Sequence, residues 1–271
     1  MRESWHASRV TEPKTNWKNE QLDPHPTFRS RSCLEISGQN RDEIEVDVAV
    51  EEVVNIILNG GCITAIPAIP DQLKEMAIGF LIGEGIAGSF QEITSVKEEK
   101  GALICETRDG KAAPWKGHQC CSVGSSSLQD LKPIVSEIRM RADALLGAVD
   151  KLNEQAKIWR RTGATHTSII CDSIGRVLAS CEDVSRSSSV DKTVGAALLA
   201  GTDLSKCALI TSGRLSGVMV AKAARAGFPI LVSRSAPMNS GIELAEKIGM
   251  TLVAFARSPK LYVYAGAERL I

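Results

Sequence analysis

The chain has 271 residues, 44% apolar and 24% charged, with 32 basic and 32 acidic side chains. That is a globular composition, long enough for one large or two modest domains. The balanced charge gives no reason to expect nucleic acid or an anionic membrane as a partner, and no window approaches the roughly 18 apolar residues of a membrane span.

The N-terminal stretch has no apolar core of signal-peptide length, and a cytoplasmic protein is expected. Residues 1–42 are polar, with isolated Trp5, Trp17 and Phe28, and read as a largely irregular leader. Alternation over 43–52 and two apolar runs around Asn59-Gly60-Gly61 predict strand, turn and strand. Pro70 and Asp71 then open a helix carrying Leu73, Met76, Ala77, Phe80 and Leu81, which stops at glycines. Residues 93–110 form a second hairpin pattern.

The polar segment KGHQCCSVGSSSLQDLKP (116–133) follows, with Cys120 and Cys121 side by side. Residues 132–159 have the pattern of one long helix, with a break expected near Gly147. From there strands and helices alternate to the C-terminus, which argues for an α/β layered domain with helices on both faces of a sheet. The expected organisation is a leader (1–42), an α+β domain carrying the cysteine loop (43–135) and an α/β domain (136–271).

Of the eight cysteines, Cys105, Cys171 and Cys207 lie in apolar runs and read as buried strand residues. With no C-x-x-C and scattered histidines, no structural metal is expected. Zinc deaminase chemistry is also disfavoured: His166-Thr167-Ser168 lacks the glutamate of H-x-E, and P-C-x-x-C does not occur.

In a layered sheet, ligands sit where strands end and helices begin. Four polar segments fall at such junctions: 161–166, 182–192, 211–217 and 233–241. Within them Ser188 or Ser189 is the expected helix N-cap, with Asp191 in the first turn. Helix N-termini together with Arg186, Lys192, Arg214 and Arg234 would suit phosphate oxygens. A phosphorylated or nucleotide-like ligand is therefore expected at that edge.

The ordered segments PDQLKEMAIGFLIGEG (70–85), TGATH (162–166), EDVSRSSSVDK (182–192), SGRLSGVMVAKAARAGFPILVSRSAP (212–237), ELAEKIGMTLVAFAR (243–257) and KLYVYAGAER (260–269) resemble the formate dehydrogenase accessory protein (FdhD) family. The resemblance runs from about residue 43 to the C-terminus. It implies a cytidine-deaminase-like α/β/α domain without its zinc, a smaller N-terminal α+β domain and a homodimer.

The resemblance also implies sulfurtransfer. A loop cysteine takes sulfur from a cysteine desulfurase as a persulfide and sulfurates the molybdenum (or tungsten) bis-molybdopterin guanine dinucleotide destined for formate dehydrogenase. The catalytic residue is then Cys121 or Cys120. The family's loop reads C-G-V-C-G; aligning Ser122-Val123-Gly124 with G-V-C selects Cys121, which we prefer, whereas aligning Gly124 with the final glycine selects Cys120. Either way the second thiol is missing. Nearby Lys116 and His118 would favour the reactive thiolate.

Carried over residue by residue, the cofactor-binding positions are Thr162, Gly163, Thr165 and His166; Glu182, Asp183, Ser185, Arg186, Asp191 and Lys192; Ser212, Gly213, Arg214 and Ser235; and Leu261, Tyr262, Val263, Tyr264, Ala265 and Gly266. Departures cluster at these positions. Ser185, Ser187, Ser188 and Ser189 replace G, H, N and A of the family's E-D-V-G-R-H-N-A-V-D-K, Ala164 replaces a glycine, and 262–266 replace N-V-Y-T-H. A second expectation follows: a cofactor or guanine-nucleotide chaperone on the same fold, without a persulfide step.

Overall fold

The computed structural model describes residues 26–111 and 131–271. Part of the expected leader is ordered strand: β1 (Phe28–Ser37) and β2 (Asn40–Ala49) pair antiparallel through a turn at Gly38. The polarity that suggested an irregular leader reflects a two-stranded ribbon exposed on most of its surface.

The next sheet has the order β4-β3-β6-β5, with β3 (Glu52–Leu58), β4 (Gly61–Ala68), β5 (Ile93–Glu99) and β6 (Ala102–Thr107). Each hairpin turns on two residues of positive φ, Asn59-Gly60 and Lys100-Gly101, the left-handed pair that matches strand twist. Helix α1 (Leu73–Gly83) covers this sheet, packing Leu73, Met76 and Leu81 against Ile56, Leu58 and Leu103.

The larger sheet has the order β12-β11-β10-β9-β7-β8. Its strands are β7 (His166–Asp172), β8 (Val177–Asp183), β9 (Cys207–Thr211), β10 (Ile230–Ser233), β11 (Thr251–Arg257) and β12 (Lys260–Ala265). The central β9, β10 and β11 run parallel, while β7 and β12 are antiparallel to their neighbours. Both faces are buried, which explains the unbroken apolar runs. Ala208, Ile210, Ile230, Val232 and Val253 pack on α2 (Ala142–Gln155). Leu209, Leu231, Leu252 and Ala254 face α4 (Arg186–Leu199), α5 (Gly217–Arg225) and α6 (Asn239–Ile248).

The helix expected over 132–159 is corrected in two ways. Residues 131–141 are not helical: Pro133 lacks a helix donor, the Ile134 N–H donates to Ile248 O at 2.7 Å, and Met140 exchanges backbone bonds with the C-terminal segment. The break falls at Ala156 rather than Gly147, and α3 (Lys157–Thr162) follows immediately. Gly147 stays inside α2, with nothing within 4 Å of an added Cβ.

The α4 N-cap is also corrected. Ser185 caps the helix, its hydroxyl accepting from Ser187 N–H at 3.2 Å, while Ser188 and Ser189 are buried inside it. Asp191, sixth in the helix, therefore lies in the second turn.

Helices α1 and α4 cross at backbone contact. A Cβ on Gly79 would lie 1.9 Å from Asp191 O, and one on Gly195 would lie 1.9 Å from Glu75 O. Gly79→Ala or Gly195→Ala is therefore expected to lower unfolding free energy by about 3 kcal/mol or more, because the backbones must separate. Gly147→Ala should be neutral or stabilise by up to about 1 kcal/mol. Urea denaturation of the three variants checks this; equal effects would refute the close crossing.

Candidate functional site: a cationic cleft at the strand ends

Sheet register brings the polar segments to one edge. His166 pairs with Asp183, Ser168 with Thr211, and Thr211 with Ser233. Beyond these ends the turns are held by short hydroxyl contacts. Thr211 Oγ1 accepts from Gly213 N–H at 3.1 Å, and Ser233 Oγ donates to Gly213 O at 2.6 Å while accepting from Ser235 N–H at 2.9 Å. Gly213 is required there because an added Cβ would lie 2.7 Å from Arg186 Cβ.

A cleft of about 500 Å³ opens between these ends and α2–α3. Asn153, Trp159, Arg160, Thr165, His166, Ser212, Arg234 and Arg257 line it, with three guanidinium groups and no carboxylate among the described lining residues. Trp159 is 49% exposed, an unusual position for so large an apolar surface. Ser212 Oγ accepts from Thr167 N–H at 3.1 Å and lies 3.0 Å from His166 Nδ1. The hydroxyl keeps a second lone pair as well as its proton, so it meets either imidazole tautomer at Nδ1. Among the described residues no hydrogen bond engages Nε2.

Of the residues expected to bind a cofactor, Thr165, His166 and Ser212 line the cleft. Gly213 and Ser235 form its turns, and Arg186 and Arg214 are close enough to His166 to act on its charge. Thr162 and Gly163 end α3, Gly163 in the left-handed conformation at φ 68°. The others face elsewhere. Ser185 caps α4, and Glu182 turns to α3. Asp183, Asp191 and Lys192 are consumed by buried ion pairs with Lys192, Lys222 and Asp183 respectively.

Residues Leu261, Tyr262, Val263, Tyr264 and Ala265 run along the outer strand β12 and away from the cleft, and Gly266 follows the strand end. Gly266 O accepts from Thr251 Oγ1 at 2.6 Å, at the opposite end of β11 from Arg257. Cys120 and Cys121 lie outside the described residues. The sequence reading passed over Asn153, Trp159, Arg160 and Arg257; the run Trp159-Arg160-Arg161 directly before TGATH was the available signal for two of them. Among the described residues no group of three or more His, Cys, Asp or Glu side chains could hold a metal ion.

Burial, then the charges of Arg186 and Arg214, depress the His166 pKa below the ordinary 6.5, outweighing the pull of Asp183. Because the folded value is depressed, stability tied to His166 is present above 6.5 and is lost as pH falls through the lower folded value. The neutral ring is therefore favoured at pH 7. An NMR titration of the His166 ring should give a midpoint below 6.5, moving upward in Arg186→Ala; a midpoint above 6.5 in the parent protein would contradict this geometry.

The family model of the FdhD/NarQ family matches residues 49–271. A sulfur carrier protein FdhD from Methanothermobacter thermautotrophicus is 32% identical over 248 residues, covering 90% of this chain and 99% of that one. A sulfur carrier protein FdhD from Thermoplasma acidophilum is 32% identical over 259 residues, covering 90% and 91%. A crystal structure from Desulfotalea psychrophila, described as a formate dehydrogenase accessory protein, superposes with a TM-score of 0.80 at 27% identity, covering 91% of this chain and all of that one. Strand-end geometry, relatives and fold converge on one conclusion: this chain belongs to the FdhD/NarQ family.

Proposed function

We propose that the chain is a cytoplasmic sulfur carrier that binds a molybdenum or tungsten bis-molybdopterin guanine dinucleotide as its substrate and sulfurates it for formate dehydrogenase. The observation that carries the reading is the strand-end cleft, with Arg160, Arg234 and Arg257 and no carboxylate among the described lining residues. Guanidinium groups pair with phosphate oxygens in a fixed planar geometry, and Trp159 offers a ring face to a base. The smaller sheet with the loop after it would act as the sulfur-carrying unit, and the larger, cytidine-deaminase-like unit as the cofactor-holding one. A homodimer is part of the same proposal.

In the sulfur step, the thiolate of Cys121 or Cys120 attacks the outer sulfur of the cysteine desulfurase persulfide. A new sulfur–sulfur bond forms on the carrier, the donor's sulfur–sulfur bond breaks, and the donor cysteine leaves as thiolate. Delivery of that sulfur to the cofactor at the sulfide level would break the carrier's sulfur–sulfur bond, return its cysteine as thiolate and take two electrons from a thiol reductant, which is oxidised to a disulfide. The buried thiols are poorly suited to this role: burial pushes Cys105, Cys171 and Cys181 up to about 12 and Cys207 up to about 11. A thiol so raised is scarcely ionised at neutral pH. A second reading, a cofactor chaperone without a persulfide step, is favoured by the loss of one loop cysteine.

Incubation with a cysteine desulfurase and cysteine, followed by intact mass and peptide mapping, decides between them. One added sulfur on the 116–133 peptide is expected. No added sulfur with an active desulfurase, or sulfur on exposed Cys33 or Cys62 instead, would overturn the carrier reading. Calorimetry should detect guanosine diphosphate binding, weakened about tenfold or more by Arg234→Ala; no binding would overturn the cofactor reading of the cleft.

A further inference from the structure

Between α2 and the strand ends, the chain interrupts one helix and starts another. That second helix, α3, places Trp159 and Arg160 in the cleft wall. The next residue, Arg161, faces the other way: its guanidinium meets Asp47 at 2.7 Å and lies 3.8 Å over the Phe28 ring. Six residues of helix have little stability of their own. Ala156, the residue at the helix N-cap position, supplies no side-chain cap.

The cap comes from across the sheet. Glu182, 8% exposed on β8, accepts from Ile158 N–H at 2.8 Å through Oε2 and from Trp159 N–H at 2.9 Å through Oε1. Thr165 Oγ1 donates to Oε1 as well, at 2.8 Å. Three donors converge on one buried carboxylate, and two are orphan amides of the first turn of α3. Each such charge-assisted bond is stronger than a neutral one. A carboxylate is needed, since an amide of the same shape offers one acceptor oxygen for two separate backbone donors.

We infer that Glu182 is a positioning residue: it holds the α3 N-terminus so that Trp159 and Arg160 stand in the cleft wall. The inference rests on the cleft being the ligand site, and it replaces direct cofactor contact as the role of Glu182. The anionic side chain in a cationic site is turned to the backbone of the wall. The Arg161 contacts to Asp47 and Phe28 brace the same helix from the ribbon side.

The test uses Glu182→Gln in the full chain, with two readouts. Amide hydrogen exchange of the ligand-free protein should show lost protection at Ile158 and Trp159 while β7 and β9 stay protected. Guanosine diphosphate affinity should fall about tenfold, and Glu182→Gln should cost less in a Trp159→Ala background, where only the Arg160 share remains to be lost. Unchanged exchange at the two amides, or an equal loss of affinity with and without Trp159, would overturn the inference. If Glu182→Gln does not fold, Thr165→Val removes one of the three bonds and should give a smaller change in the same direction in both readouts; no change in either would overturn it. If the parent protein binds no guanosine diphosphate, the cofactor reading fails and the exchange experiment still judges Glu182.

Discussion

The structure depends on a set of buried charges where α1 crosses α4. Lys192 and Asp183, both fully buried, pair at 2.7 Å, and the same ammonium donates to Ile69 O at 2.9 Å. Asp183 also accepts from Ile69 N–H at 3.2 Å, so one ion pair satisfies both backbone groups of the residue leading into α1. Asp191, the residue before Lys192, lies 2.7 Å from Lys222 of α5, whose ammonium also meets Glu84 at 3.0 Å. Burial opposes the charge on Lys222, but Asp191 and Glu84 outweigh it and raise its pKa, while burial pushes Asp191 above the ordinary carboxylate range. Removing one partner from such a pair typically costs about 3–5 kcal/mol, because the other charge stays buried alone. The glycines at the crossing let the α1 and α4 backbones touch beside these pairs.

From that crossing the cleft follows by connectivity. Residues 182–192 serve three neighbours in sequence: Glu182 holds α3, Asp183 holds the approach to α1, and Ser185 caps α4. The segment's carboxylates and Lys192 are occupied with internal partners, and of its charges Arg186, opposed by a weaker pull from Asp183, acts on the cleft through His166. The positive lining comes instead from Arg160, Arg234 and Arg257, on α3 and at the ends of β10 and β11. A polar run at a strand–helix junction thus serves as a joint between two sheets, and the guanidinium groups of the cleft lining come from the elements around it.

Much of the fold was legible because its signals are local. The Asn59-Gly60 turn, the glycine stop after α1 and the doubly buried runs of β9 and β10 each follow from a few adjacent residues. The misreadings share one cause, long-range contact overriding local pattern. Helical periodicity over 132–141 lost to backbone pairing with the C-terminal segment. The break in the helix fell where Glu182, more than twenty residues away, captures two amides. For the site, convergence at one sheet edge was readable from strand order, whereas the fate of each charge was not. Asp191 and Lys192 resemble anion-site residues in sequence, and only their packing against α5 and β8 shows that they are already paired.

The central claim is that the phosphate-bearing part of a guanine dinucleotide lies among the arginines at the strand ends. A crystal structure of the full chain with guanosine diphosphate tests it most directly. The account predicts the diphosphate against the guanidinium groups of Arg160, Arg234 and Arg257, with the base against Trp159. Nucleotide bound along β12 at residues 261–266, or at the buried charges of the α1–α4 crossing, would contradict it.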